Sequence, residues 1–269
     1  MPNFICTTCG TQYAETAEEP ERCLICEDER QYIGENGQRW TTLDVLRETH
    51  RNLIRPVESG LLGIRTEPIF AIGERALLIQ SPDGNVLWDC ISLLDEATIS
   101  AVRALGGIKA IAISHPHFYT TLVEWSRAFD APVYLHAADR EWVQRPDPAI
   151  MFWDGPTHVL GDGLTLIRCG GHFPGSSVLH WAGGAEGRGA LLTADTIYVT
   201  QDHRFVTFMY SYPNLIPLPI GAIQQIAGAV EPFAFERVYS GWPDRVVQQD
   251  GKAAVRRSAE RYIRAISGQ

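Results

Sequence analysis

Residues 111–120 read IAISHPHFYT, an apolar run that stops at His115 and His117, two imidazoles separated by one proline. On extended chain, side chains alternate with a period of two, so these rings are expected on the same side and can serve one metal ion as a ligand pair. A lone pair of this kind can equally be the polar end of a buried strand. The rest of the chain decides between the two.

Working outward, Ile108–Ser114 reads as a strand that delivers the pair. Before it, Asp95 is a helix N-cap, Ile99, Val102 and Leu105 share one face, and Gly106-Gly107 forms a stop. Earlier still, Pro68–Ile72, Ala76–Gln80 and Asn85–Cys90 read as strands, the last two joined through the turn at Pro82-Asp83-Gly84. A βαβ unit follows, with Asp89 and His115 at the carboxyl ends of neighbouring strands. The pattern repeats more weakly: Thr120–Phe129 is helical, and Pro132–Leu135 is a strand ending at His136, which reads as a structural residue. Past the strand Leu164–Cys169, the turn GGHFPGSS presents His172 from a loop. Strands at Ser177–Trp181 and Ala190–Thr193 follow, and just beyond the second stands Asp195, which alone would read as a turn cap. A helix over Gly221–Val230, a strand over Phe235–Tyr239 and an amphipathic helix from Lys252 to Ile266 close the chain.

The 269 residues, 45% hydrophobic and 20% charged, suit a globular protein with a full core. No run has the length of a membrane span and the first residues lack signal-peptide character, so a cytoplasmic location and no membrane partner are expected. A net charge of -9 argues against a nucleic-acid partner. Residues 1–37 form a first unit: Cys6-x2-Cys9, thirteen residues, then Cys23-x2-Cys26. Two such pairs supply the four thiolates of a structural Zn²⁺ site, with rubredoxin-like iron or a redox dithiol as lesser readings. Gly10–Gly37 holds eight acidic residues against Arg22 and Arg30, so this ribbon reads as a structural or interaction module that could mediate homo-oligomerisation. Residues 38–63 read as a helical connector, with Leu43, Leu46, Leu53 and Ile54 on a stripe over Thr41–Arg55 and Pro56 as its stop. Residues 64–269 form the main domain.

Asp89, His115, His117, His172 and Asp195 each fall just past an apolar strand. In that order, carried by VLWDC, ISHPH, GGHFPGSSVL and LLTADT, the chain resembles the metallo-β-lactamase superfamily from about Ile64 to its end. The resemblance implies an α/β (α+β), four-layered αββα sandwich, here with a small zinc ribbon added at its N-terminus. It also departs from the family. Where HxHxDH continues with Asp and His, this chain has Tyr119 and Thr120, and where a last histidine is expected stand Ser240, Gly241 and Trp242. What the resemblance leaves is a mononuclear site of His115, His117 and His172, for zinc or iron, with Asp195 beside it.

Three imidazoles with an open position suit a metal-dependent hydrolase of a small ester, lactone, thioester or phosphoester. Asp195, or in second place Asp89, would orient or deprotonate water, and Tyr119 would donate to an oxyanion. Two other readings stand: a non-catalytic metal-binding scaffold, and a non-heme iron oxygenase using His115, His172 and Asp195. Elsewhere the plain readings hold: Cys90 and Cys169 as buried apolar groups, His180 as a satisfied core residue, His158 as a loop residue, and His203 and Arg204 as solvated surface. The aromatics of Thr196–Pro219 read as core packing, with a substrate wall as the alternative.

Overall fold

The computed structural model describes residues 1–161 and 163–268. Its chain falls into two compact units, Met1–Leu135 with Asp139–Phe152, and His136–Ala138 with the chain from Trp153 onward.

In the first unit, seven strands follow one another across a single sheet in chain order: β1 (Arg51–Glu58), β2 (Leu61–Glu67), β3 (Arg75–Ile79), β4 (Val86–Trp88), β5 (Ala110–Ala112), β6 (Val133–His136) and β7 (Ile150–Trp153). From β1 to β4 the pairing is antiparallel, as short turns dictate. It then becomes parallel, because α2 (Glu96–Ala104) and α3 (Leu122–Phe129) carry the chain back between β4, β5 and β6. An earlier helix, α1, spans Leu43–Thr49. Every residue of β3, β4 and β5 is buried. The Asp95 carboxylate accepts from the Thr98 N–H at 2.7 Å and starts α2, and Gly106 and Gly107, both at positive φ, end it. Trp88 is in register with Ala112, so the segments holding Asp89 and His115 leave the sheet at the same edge.

Two local expectations fail. The helix expected over Thr41–Arg55 stops at Thr49, and Arg51–Glu58 is the edge strand β1 with Pro56 inside it. An edge position tolerates a residue with no N–H to give, so Pro56 marks a strand rather than a helix stop. The strand expected at Pro68–Ile72 is irregular chain, turning through Ala71 at φ 50°.

The second unit holds a six-stranded sheet, also in chain order: β8 (Thr157–Gly161), β9 (Leu164–Arg168), β10 (Ser177–Trp181), β11 (Ala190–Leu192), β12 (Arg237–Tyr239) and β13 (Val246–Val247). All pairs are antiparallel except β11 with β12. Helices α4 (Ile220–Val230) and α5 (Gly251–Ile266) bury Ile223, Ile226, Ala254 and Val255 in one cluster with Ile167, Val178, Leu191 and Val238. Among the described residues no helix is long and apolar enough to cross a membrane.

His180, inside β10, is a satisfied core residue: its Nε2 lies 2.8 Å from the Ala234 carbonyl and its ring 5.0 Å from that of Phe233. Burial holds its pKa below the ordinary histidine value near 6.5. The unfolded chain therefore binds more protons than the folded one in the window below that value, so the stability His180 contributes is complete above pH 6.5 and lost as pH falls. A thermal midpoint that drops between pH 7 and pH 5 is expected, with a shallower drop in His180→Gln. Identical slopes would assign the effect to other groups.

Candidate metal centres

The first centre is built from local chain. Ile5–Cys6 pairs antiparallel with Trp40–Thr41, Cys9 lies in the turn that follows, and Cys23 precedes a short helix, Leu24–Glu27, that contains Cys26. All four cysteines are buried and none is in a disulfide. Cys6 and Cys26 sulfurs lie 3.6 Å apart, as do those of Cys9 and Cys23. Four thiolates around zinc, each at about 2.3 Å, would be about 3.8 Å apart at the corners of a tetrahedron, so the set fits such an ion. The neighbouring sulfurs, Cys23 first, hold Cys6 below the ordinary thiol range, while burial pushes Cys9 the other way. Gln38 Nε2 donates to Cys6 Sγ at 3.1 Å, an outer contact of the kind that orients a ligand. The only other buried member of this cluster is Ile25, with Tyr13, Trp40 and Trp142 packed against it. That is too little apolar surface for independent folding, so an ion would provide most of the cohesion.

His115 and His117 are not both on extended chain. β5 ends at Ala112, His115 is extended at φ -170°, and Pro116–Phe118 is a single 3₁₀ turn with proline at its first position. Proline's fixed φ suits a helix start, and this turns the chain inside the motif. The two rings nevertheless lie 5.1 Å apart and both residues are buried. Asp89, at φ 63°, accepts the Ser114 N–H on Oδ1 at 2.8 Å and gives its own N–H to the Ala112 carbonyl, bracing the end of the strand. Ser114 Oγ lies 2.9 Å from His115 Nδ1, which leaves Nε2 as the outward nitrogen.

At the two positions that depart from the family pattern, Tyr119 is buried with its hydroxyl 3.4 Å from the Asp139 carbonyl, and burial pushes its pKa up. Thr120 offers its carbonyl to the Gln12 N–H at 3.0 Å. Gly10, on the same cysteine-bearing turn, accepts from Ser92 Oγ at 3.1 Å. The ribbon is thus seated against the chain where a second metal's ligands would otherwise stand.

His172 and Asp195 follow strands of the six-stranded sheet, β9 and β11. Cys169 and Gly170 both donate to the Ser176 carbonyl and Phe173 N–H donates to Ser176 Oγ, closing the loop tightly around the histidine. Gly171 has φ 82°, and a Cβ there would sit 2.7 Å from Ile226 Cδ1, so only glycine fits. His172 Nδ1 lies 3.2 Å from the Met209 carbonyl; as an N–H donor to it, the ring presents Nε2. Asp195 follows β11, and its backbone carbonyl accepts the Tyr212 hydroxyl at 2.9 Å. His172 Nε2 and Asp195 Oδ2 are 3.9 Å apart, too far for a hydrogen bond. Two ligands at roughly 2.1 Å on one tetrahedral ion would be roughly 3.4 Å apart, so an ion need draw these atoms together only slightly.

His115, His117, His172 and Asp195, all buried, each offer one ligand atom, and these atoms lie within 4.8 Å of one another. The set fits zinc or iron by donor type. Asp89 is absent from it; its carboxylate is spent on Ser114. His136 is structural, accepting from the Ala138 N–H and lying against Gly155 and Trp153. His50 and His158 make ring contacts with Phe70 and Trp153, and His203 is exposed. Cys90 and Cys169 are buried, and burial alone pushes the Cys169 thiol up to about 12. Of the aromatics, Phe208 belongs to the core, while the Tyr198 and Tyr212 rings lie 4.9 Å apart, tilted at 42°, and Tyr212 touches the Asp195 carbonyl. Ser114, Met209 and Tyr212 were not expected at the site. Ser114, next to the first histidine, had a local signal, Tyr212 stood in the aromatic-rich segment, and Met209 had none.

No protein-family model matches the chain. It is 52% identical over 271 residues to the uncharacterized protein YmaE of Bacillus subtilis (strain 168), covering 100% of this chain and 98% of that one. Among solved structures it is similar to DIM-1 metallo-β-lactamase, with a TM-score of 0.59, 14% identity, and coverage of 80% of this chain and 98% of that one. It is also similar to a B3 metallo-β-lactamase with an active-site glutamic acid, with a TM-score of 0.54, 19% identity, and coverage of 85% and 94%. At these identities the likeness shows the fold alone: a metallo-β-lactamase-like α/β sandwich with two mixed sheets.

Proposed function

This chain belongs to the family of the uncharacterized protein YmaE and has the metallo-β-lactamase fold, and on that premise we propose that it is a mononuclear metal-dependent hydrolase of small ester-type substrates. The observation that carries the reading is the convergence of three buried imidazoles and one carboxylate, two of the rings having Nδ1 engaged by Ser114 and Met209. These contacts at Nδ1 leave Nε2 of each ring for a ligand, the arrangement usual for metal-binding histidines.

A divalent ion held by His115, His117 and His172 would lower the pKa of water and polarise the substrate carbonyl or phosphoryl oxygen. Asp195, buried beside the three imidazoles, would accept a proton or a hydrogen bond from a water bound there. Tyr119 is the donor on the first segment. Its bond to Asp139 is 3.4 Å, long for an O–H···O contact, so little is lost when the hydroxyl turns to a developing oxyanion.

The test is hydrolysis by zinc-reconstituted protein across p-nitrophenyl esters, lactones, thioesters and phosphodiesters, against a chelator-treated control. Asp195→Asn is expected to keep the ion on its three imidazoles and lose about a hundredfold or more in kcat, and Tyr119→Phe to lower kcat with little change in KM. No metal-dependent turnover of any class would remove the proposal. Elemental analysis of protein purified without added metal separates zinc from the iron that an oxygenase would need.

A further inference from the structure

Where the family pattern expects a final histidine, the chain runs β12, Ser240, Gly241, Trp242, Pro243, Asp244, Arg245, then β13. This is a tight turn: Ser240 N–H donates to the Arg245 carbonyl and Arg245 N–H to the Trp242 carbonyl, both at 3.1 Å. The turn has lost a metal ligand and carries an indole and a guanidinium instead.

Both groups meet Tyr198. Arg245 Nε donates to the Tyr198 hydroxyl at 3.3 Å, and the Trp242 ring lies 5.4 Å from the Tyr198 ring. Tyr198 in turn lies 4.9 Å from Tyr212, which holds the Asp195 carbonyl and stands 6.0 Å from the His172 ring. A chain of ring contacts therefore leads from His172 through Tyr212 and Tyr198 to Trp242 and Arg245.

Arg245 is half-buried, and its contacts are the Tyr198 phenol and, at 3.5 Å, the Asp244 carbonyl, with no carboxylate among them. Three other arginines of this unit are neutralised: Arg188 and Arg237 by Glu186, and Arg256 by Glu231. A guanidinium has five N–H donors in a planar fork, and most of these remain uncommitted at Arg245. On a chain of net charge -9, a guanidinium with donors to spare is a local point of attraction for an anion.

We infer that Arg245, walled by Tyr198 and Trp242, is an anion-binding subsite, so that the substrate carries a carboxylate or phosphate on the part that does not react. This rests on the hydrolase reading for the word substrate, and on the geometry of the turn for the subsite. The fork accepts the oxyanion through paired N–H bonds, and the rings cover the apolar body between it and the reacting bond.

The probes are glutaranilic acid, which bears a carboxylate on an amide that is not an ester, and its neutral analogue valeranilide, each titrated calorimetrically into zinc-loaded full-length protein. The wild type should bind the anion about tenfold or more tightly than the neutral probe, since a hydrogen bond to a charged group is worth about that much. Arg245→Gln should abolish the preference, Arg245→Lys should keep part of it, and added salt should shrink it. A wild type without preference, or an Arg245→Gln variant that retains it through carboxylate–metal contact, would overturn the subsite. A preference that follows Arg245 in a protein that hydrolyses no ester would instead sink the hydrolase reading and leave the subsite standing.

Discussion

Replacing His117 by alanine is expected to halve the metal content of the purified protein and to leave only the ion of the four cysteines. His115, His172 and Asp195 would remain, but a set reduced to two imidazoles and a carboxylate loses affinity as well as the geometry of the open position. The loss should exceed the roughly 10–100-fold that outer-shell partners of a ligand are worth. Turnover should fall at least as far, since the same ion supplies the polarisation. The side chain lies on a one-turn 3₁₀ segment at the end of β5, not within the sheet, so folding is expected to survive. The measurement is elemental analysis, with release of the cysteine-bound ion by a thiol-reactive mercurial into a chromogenic chelator to separate the two pools. Full metal content in the variant would remove His117 from the site.

The second large effect concerns the ribbon. Cys9→Ser is expected to release the thiolate-bound ion, lower the thermal midpoint by on the order of 10 °C, and expose backbone amides over residues 1–40 to exchange. The argument is one of burial: apart from the cysteines themselves, Ile25 is the only fully buried member of that cluster. The consequence should spread to Thr120, whose carbonyl is held by Gln12, three residues past Cys9. Gly10→Ala probes the same contact without touching a sulfur. At φ 79° its added Cβ would stand 2.2 Å from Ser92 Oγ, costing about 2 kcal/mol or more. Pairing it with Ser92→Ala should recover the steric part and leave the backbone part. Unchanged exchange over residues 1–40 in Cys9→Ser would mean that the ribbon folds without its ion.

The coupling between the two centres is expected to run one way. His117→Ala should spare the ribbon ion, whereas Cys9→Ser should disturb the histidine segment through Gln12 and Ser92.

Much of this was legible in the residues. The cysteine ribbon follows from two short spacings, because a CxxC turn is local geometry. The strands delivering Asp89, His115 and Asp195 follow from apolar runs ending in polar residues, and α2 from Asp95 and its two closing glycines. Other features were out of reach. The stretch up to Arg55 looked helical because Leu53 and Ile54 fit a stripe with Pro56 as its stop, and only its place at the sheet edge made room for Pro56 inside a strand. His115 and His117 come together through a proline-started turn rather than by strand alternation.

What the sequence determined by itself was which side chains could bind a metal and which segments would carry them, since periodicity and ligand chemistry are properties of short stretches. What only the tertiary structure decided was the set of partners that give those side chains their roles: Met209 on His172, Tyr212 on Asp195, and Tyr198 on Arg245. The first two of these bonds end on backbone carbonyls, which every residue possesses, and the third joins groups 47 positions apart. Such contacts leave no pattern along the chain, because it is folding that selects which carbonyl or hydroxyl a side chain meets.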